Sequence, residues 1–198
     1  MPKVDVAIIL LAAGSSSRMG KSKQLIKING ESLLIKSVKA ALHSKSINAI
    51  VVLGANETEH RAEIESFPVS IVSNSNWSKG MGSSLKAGLH YLKSTSDKSE
   101  AVIIMVCDQP LLTSLHLDKL IDSYHSTRKS IIASSYSGSI GVPALFDQSM
   151  FGQLALLEDA QGAKRIIESN MNVVEKIDFP EGSIDLDTPE DFNQFANT

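Results

Sequence analysis

The stretch from Ile8 to Leu25, IILLAAGSSSRMGKSKQL, constrains this fold more than any other. It begins, within Val6 to Leu11, as an unbroken apolar run rich in β-branched residues. That is the pattern of a parallel strand buried on both faces. The run breaks at Ala12-Ala13-Gly14, passes three serines, and meets Arg18, Gly20, Lys21 and Lys23 before apolar residues resume at Leu25. Small residues let a ligand approach the backbone, so Ala12, Ala13 and Gly14 are candidates for ligand contact. Gly14 and Gly20 also tolerate dihedrals that a β-carbon forbids. Successive backbone N–H groups and serine hydroxyls make an anion-binding concavity, to which Arg18 and Lys23 add charge. Together these features describe a phosphate cradle. A flexible Ser/Gly connector with surface cations would need neither the buried strand before it nor this basic spacing.

The cradle is of neither common kind. There is no GxxxxGK[ST] and no GxGxxG, so the P-loop and Rossmann fingerprints are both absent. The 198 residues suit one domain, taken as 1–198, because no linker or repeat divides them. A formal net charge of −3 argues against a general nucleic-acid footprint, so the basic residues of the first loop act locally. The lone cysteine, Cys107, excludes an intramolecular disulfide and a cysteine-cluster zinc site, and suits a small buried hydrophobe. No stretch is long and apolar enough to span a bilayer. Basic residues follow the first apolar run instead of preceding it, the reverse of a signal peptide. The expected address is the cytoplasm.

Beyond the loop, strands and helices alternate. Ile26 to Asn29 reads as a short extended piece before an Asn29-Gly30 turn, and Ser32 to Ser44 as an amphipathic helix. Ile47 to Leu53 and Val69 to Val72 read as strands, with a helix over Thr58 to Ser66 between them. Such alternation predicts a doubly wound α/β sheet. Ala101 to Cys107 is the strongest strand and ends in Asp108-Gln109-Pro110. Ligands collect at the carboxyl ends of parallel strands, where a carboxylate is placed to hold Mg²⁺. Capping the following helix is the other role open to Asp108, although Thr113 and Ser114 are better placed for it. A helix over Ser114 to Thr127 and a strand over Ile131 to Tyr136 follow. Then come a turn at Ser137-Gly138-Ser139, an extended piece over Gly141 to Phe146, and helices over Phe151 to Leu157 and Ala163 to Asn170. His116 and His125 have no partner at ligand-like spacing and are expected on the surface.

Two further stretches carry chemistry. Asn74 to Leu89, NSNWSKGMGSSLKAGL, feeds a Gly/Ser loop into a helix over Ser83 to Tyr91, offering oriented N–H groups to an anion or a base edge. Trp77 fits a core, a lid or a substrate contact equally well. In Ser183 to Asp191, Asp185 and Asp187 alternate with Ile184 and Leu186, which puts both carboxylates on one face of an extended chain. Thr188 then caps a helix that has Pro189 in its first turn. The cap does not account for two acids on one face just before it.

The segments LAAGSSSRMGKSKQL, GMGSSLKAGL, CDQPLLT and DLDTPEDF, in this order, resemble the nucleotidyltransferase family that contains molybdenum cofactor cytidylyltransferase and guanylyltransferase. GVPALF and the later GAK are similar to the cytidylyltransferase branch. The resemblance runs from about Ile8 to Phe192. It implies a Rossmann-like three-layer α/β/α sandwich with a mostly parallel central sheet, and Mg²⁺ dependence. It also implies transfer of CMP from CTP to the phosphate of molybdopterin, with release of pyrophosphate. On that basis Arg18, Lys23 and Asp108 are catalytic, and Asp108, Asp185 and Asp187 are metal ligands. Leu11, Ala12, Ala13, Gly14, Arg18, Lys23, Gly82, Ser83, Ser84 and Asp108 bind nucleotide, with Gly82, Ser83 and Ser84 at the base. CTP (or GTP) and a molybdopterin-type acceptor are the expected partners, with transient contact to a molybdoenzyme or its chaperone. Neither nucleic acid nor membrane is expected. The alternatives are guanylyl transfer to the same acceptor, a sugar- or alditol-phosphate nucleotidyltransferase, and a non-catalytic cofactor chaperone. One departure bears on the acceptor: the Gly-Asp pair usual before GA[RK] is replaced by Glu158-Asp159-Ala160-Gln161-Gly162.

Overall fold

The computed structural model describes residues 5–16, 20, 22–95, 99–186 and 188–196. In chain order its elements are β1 (Val6–Leu11), β2 (Lys27–Ile28), β3 (Glu31–Ser32), α1 (Leu33–Leu42), β4 (Asn48–Leu53) and α2 (Glu57–Ile64). They continue with β5 (Ser70–Ser73), α3 (Met81–Ser94), β6 (Ala101–Val106), α4 (Ser114–Thr127), β7 (Ile131–Tyr136) and β8 (Ser139–Asp147). The last are α5 (Phe151–Ala155), α6 (Lys164–Ser169), β9 (Val174–Asp178) and α7 (Pro189–Ala196).

Seven strands form one sheet in the order β5-β4-β1-β6-β8-β7-β9. β1, β4, β5 and β6 are mutually parallel; β8 runs antiparallel between β6 and β7, and β9 lies parallel to β7. β1 alternates its side chains across the sheet, as the pleat requires. Ile8 and Leu10 pack with α1, α2 and α4, whereas Ile9 and Leu11 pack with α3, α5 and α6. Both faces are therefore covered, which is why β1 and β6 read as continuous apolar runs. This is the expected three-layer α/β/α sandwich. Gly88 of α3 lies so close to the sheet that a β-carbon there would stand 2.7 Å from Ile9 Cγ2.

The chain leaves β1 toward β4 and β5, then returns to the opposite side of β1 as β6. The crevice between the carboxyl ends of β1 and β6 is thus the topological switch point, where open α/β sheets bind ligands. A third apolar cluster, Ile26, Leu33 and Leu186 with Phe192 and Phe195, seats the C-terminal helix against the start of α1. Thr188 caps α7 reciprocally: its Oγ1 accepts from Asp191 N at 3.2 Å and its N–H donates to Asp191 Oδ2 at 2.7 Å.

Two expectations are corrected, and one strand escaped the sequence reading. His116 is buried at 5% exposure, held by Ser134 Oγ at 2.7 Å and stacked on Phe179 at 4.1 Å, because α4 turns that residue onto the sheet. The acidic piece around Asp185 is not a strand; residues 184–186 are irregular chain after a turn over Pro180–Ser183. β9 is an edge strand, VEKID, whose charged and half-exposed residues hide the apolar alternation that betrays other strands.

Candidate active site

At the switch point lies a cavity of about 320 Å³, walled by the β1 loop, the turn before α3 and the end of β6. Leu11, Ala13, Gly14, Lys23, Ser84 and Asp108 all reach it. Ala12, Gly82 and Ser83 are not among its lining residues. Lys23 Nζ donates to Asp108 Oδ2 at 2.7 Å, joining side chains 85 positions apart. Arg18 and Asp187 lie outside the described residues.

The cradle is built by a residue that no motif announces. Gln24 is buried at 1% exposure. Its Nε2 donates to Gly14 O at 2.8 Å and Ala12 O at 3.3 Å, while its Oε1 accepts from Ser16 Oγ and Ser22 Oγ, both at 2.9 Å. Lys23 N–H in turn donates to Ser16 Oγ at 3.0 Å. Ser16 sits in the left-handed region at φ 54°, so the loop doubles back on itself over Gln24. Ala12 N–H donates to Val52 O and Ala13 O accepts from Ala55 N–H, each at 3.0 Å, which ties the loop to β4 as well.

On the opposite wall, Asn74 does for the α3 turn what Gln24 does for the first loop. Its Nδ2 donates to Ser83 Oγ and Ser84 Oγ, both at 2.9 Å. Ser83 spends its own proton on the carbonyls of Asn76 and Gly80, at 2.9 and 2.8 Å, so it fastens the turn from behind. Ser84 reaches the cavity, and its proton has no acceptor among the described residues. Gly80, at φ 125°, and Gly82 are glycines for close approach to the 158–161 backbone. A β-carbon on Gly82 would run into Glu158 O, and its N–H donates to Asp159 O at 2.9 Å. Lys86 clamps the same segment through Asp159 Oδ1 at 2.6 Å and Leu157 O at 2.9 Å. The stretch that departs from the family pattern is therefore docked onto the start of α3. Trp77 lines the cavity with its Cβ against Gly54, which the sequence left between core, lid and contact.

Near Asp108 the donor set is of hard oxygens. Leu186 N–H donates to Asp108 O at 3.0 Å, which brings the Asp185 segment alongside the end of β6. The Tyr136 phenol is raised above its ordinary value by burial first, and then by the Asp185 and Asp108 charges. Both charges thus bear on the Tyr136 phenol. Among the described residues, no group of three or more His, Cys, Asp or Glu could hold a metal. The pair fits an ion such as Mg²⁺ whose remaining ligands come from substrate phosphates and water. Cys107 borders the cavity, but burial and then Asp108 push its thiol up to about 12, so it offers no thiolate nucleophile.

Fold and site define a class: an α/β sheet with a cation-bearing small-residue loop and a strand-end carboxylate at its switch point. Within that class the chain belongs to the MobA-like NTP transferase family, whose domain model matches residues 8–174, and it is a nucleotidyltransferase of that family. Purine catabolism protein PucB of Bacillus subtilis (strain 168) is 30% identical over 200 residues, 93% of each chain. Nicotine blue oxidoreductase of Paenarthrobacter nicotinovorans is 29% identical over 191 residues, 92% of each. Molybdenum cofactor cytidylyltransferase of Escherichia coli (strain K12) is 25% identical over 185 residues, 93% of this chain and 92% of that one. The crystal structure of the Rv0371c homologue from Mycobacterium sp. strain JC1 superposes with TM-score 0.82 at 28% identity, over 97% of this chain and 95% of that one. Rv0371c from Mycobacterium tuberculosis H37Rv, in complex with manganese, superposes at 0.81 and 22% identity, over 98% and 99%. No helix among the described residues is long and apolar enough to cross a membrane.

Proposed function

We propose that this protein transfers CMP from CTP to the phosphate of a molybdopterin-type acceptor, releasing pyrophosphate. The observation that carries the reading is the Lys23–Asp108 pair, 2.7 Å apart where the first loop meets the end of β6. In the resting protein each charge neutralises the other. When a triphosphate enters, Lys23 exchanges the carboxylate for phosphate oxygens; Asp108, with Asp185 or Asp187, would hold Mg²⁺. The metal's contribution is to neutralise the phosphate charge that grows as pyrophosphate departs. An acceptor phosphate oxygen attacks the α-phosphorus, the new P–O bond forms, and the α–β bridging bond breaks toward pyrophosphate. The nucleophile is already anionic, so the protein needs no general base. Positioning and fixed charge do the work.

Arg18 adds a second cation to the cradle in this scheme. Leu11, Ala13, Gly14 and Ser84 border the nucleotide, and the uncommitted Ser84 hydroxyl is the group that meets the base. Gly82 and Ser83 act behind it by holding the turn. A cavity of this size between backbone walls accommodates a pyrimidine more easily than a purine, which favours CTP over GTP. The replaced Gly-Asp pair leaves room for a second acceptor, a sugar or alditol phosphate, with the same chemistry. A cytoplasmic enzyme is the setting we infer. The test is turnover: CTP, GTP and ATP are each supplied with Mg²⁺ and either molybdopterin or an alditol phosphate, and products are weighed by mass spectrometry. CMP-molybdopterin with pyrophosphate is the expected result. A guanylylated product, or turnover with the alditol phosphate alone, overturns the assignment while nucleotidyl transfer stands.

A further inference from the structure

His60 lies on α2, outside the cavity, and is fully buried. Its Nε2 is 2.6 Å from Ser22 Oγ. A buried histidine touching a serine invites a reading as a general base with its nucleophile. The hydrogen bonds around Ser22 exclude it. Gln24 presents one end of its amide to two carbonyls, Ala12 O and Gly14 O, and carbonyls only accept. That end is therefore the NH₂, and Oε1 faces the two serine hydroxyls. Ser16 and Ser22 must both donate to it. The single proton of Ser22 is then spent, so Ser22 Oγ can only accept from His60. His60 carries its proton on Nε2 and leaves Nδ1, which has no partner among the described residues, as a bare lone pair. Ser16 obeys the same logic: having donated to Gln24, it accepts from Lys23 N–H. The chain of donors runs one way, from His60 through Ser22 and Gln24 to the backbone of the cradle.

We propose that His60 is a positioning residue for the phosphate cradle, setting the Ala12–Gly14 backbone and the start of the Lys23 turn through Ser22 and Gln24. A proton on Nε2 is what this requires, and the buried Nδ1 without a partner among the described residues suits the neutral tautomer. Burial holds the His60 pKa below its ordinary value, against the opposite pull of Glu59 and Glu63. Only a donor at Nε2 leaves the Ser22 proton for Gln24. A residue that accepted from Ser22 would take that proton, and one of the two acceptor sites of Oε1 would go empty. α2 is thereby coupled to a loop that it does not help to line.

This proposal rests on the cavity being a nucleotide site, so the experiment pairs a readout that needs nucleotide with two that do not. Nitrogen-15 chemical shifts of the His60 ring should report the neutral Nε2–H tautomer. His60→Ala and Ser22→Ala should both speed amide exchange at Lys23 and weaken CTP·Mg²⁺ binding about tenfold or more, as small misplacements of positioning groups do. His60→Gln, whose amide NH₂ reaches the place of Nε2–H, should restore both to within about threefold, by the same reasoning. Ser22→Ala is a partly exposed change and keeps the test decisive if His60→Ala fails to fold. An Nδ1–H tautomer overturns the proposal. So does a His60→Ala or Ser22→Ala protein with lowered stability but unchanged Lys23 exchange and CTP affinity. If the wild type binds no CTP, the nucleotide reading fails by itself, and the tautomer with Lys23 exchange still decides the role of His60.

Discussion

Lys23 shows how a single charge is held in place by one partner. Its ammonium is fixed by Asp108 at 2.7 Å, with side-chain exposures of 16% and 21%, so the charge is positioned before any phosphate arrives. A preorganised cation avoids reorganisation when transition-state charge develops, and deleting one costs about two to three orders of magnitude in rate. Lys23→Ala is therefore expected to lose at least about 100-fold in turnover, near 3 kcal/mol. Its melting temperature should shift little, because partly exposed pairs contribute about 1 kcal/mol or less. Asp108→Asn keeps a hydrogen-bonding oxygen but loses the charge, and should abolish Mg²⁺-dependent turnover. Steady-state kinetics with a thermal melt on each variant checks both. Normal turnover by Lys23→Ala removes the cradle from the mechanism. A large drop in melting temperature with activity kept in Asp108→Asn makes that residue a structural cap.

Among the elements, α4 carries a titration that the sequence concealed. His116 Nε2 meets Ser134 Oγ, which itself donates to Pro143 O at 2.6 Å, so His116 is again the donor. Burial first, and Lys119 next, bring its pKa down to about 4. The folded pKa is below the unfolded one, so the unfolded chain takes up the proton first as pH falls. The stability contribution is whole above about pH 6.5 and is lost between there and about pH 4, amounting to about 3 kcal/mol. Urea unfolding at pH 7 and pH 4.5 should show most of that loss in the wild type. In His116→Phe, which keeps the ring against Phe179 and cannot titrate, the pH difference should shrink by about 2–3 kcal/mol. An equal difference in both proteins would place the acid sensitivity elsewhere. The 158–161 segment is the other element-scale feature. Gly80 and Gly82 let α3 begin against its backbone, and Lys86 ties it down, so this segment is built onto the α3 wall of the cavity.

For the whole molecule, binding at the switch point reports on the entire sheet. The cavity gathers β1, β6, the Lys23 turn and the start of α3, which meet only in the folded chain. A ligand that binds only this state stabilises it by about 2.7 kcal/mol at a hundred times its dissociation constant. In a chain of this size that corresponds to a rise in melting temperature of about 5–10 °C. CTP with Mg²⁺ should produce it in the wild type, and the rise should collapse in Lys23→Ala. Trp77, the sole tryptophan, lines the cavity and supplies an emission signal for the same titration. No shift at saturating CTP, with a shift for GTP, would reverse the base preference.

By itself the sequence determined the layers and the place of the first loop. Apolar runs such as Val6–Leu11 and Ala101–Val106 can be satisfied only by burial on both faces, and short breaks at Gly14 and Asp108 mark where those strands end. The position of Asp108 was legible for the same reason, since a charge at the end of a buried strand faces the crevice, whereas Lys23 stands in the turn after the first loop and was singled out only by the basic spacing there. Tertiary structure alone decided the rest. Gln24, Asn74 and His60 are polar residues with no local pattern, and each works through partners that the chain brings together across other elements. The division of labour between Ser83 and Ser84 was hidden as well. Neighbours on a helix point about 100° apart, and only the position of Asn74 and of the cavity tells which hydroxyl is spent and which is left for a ligand. Local periodicity encodes burial, whereas the direction of a hydrogen bond depends on every proton already committed around it.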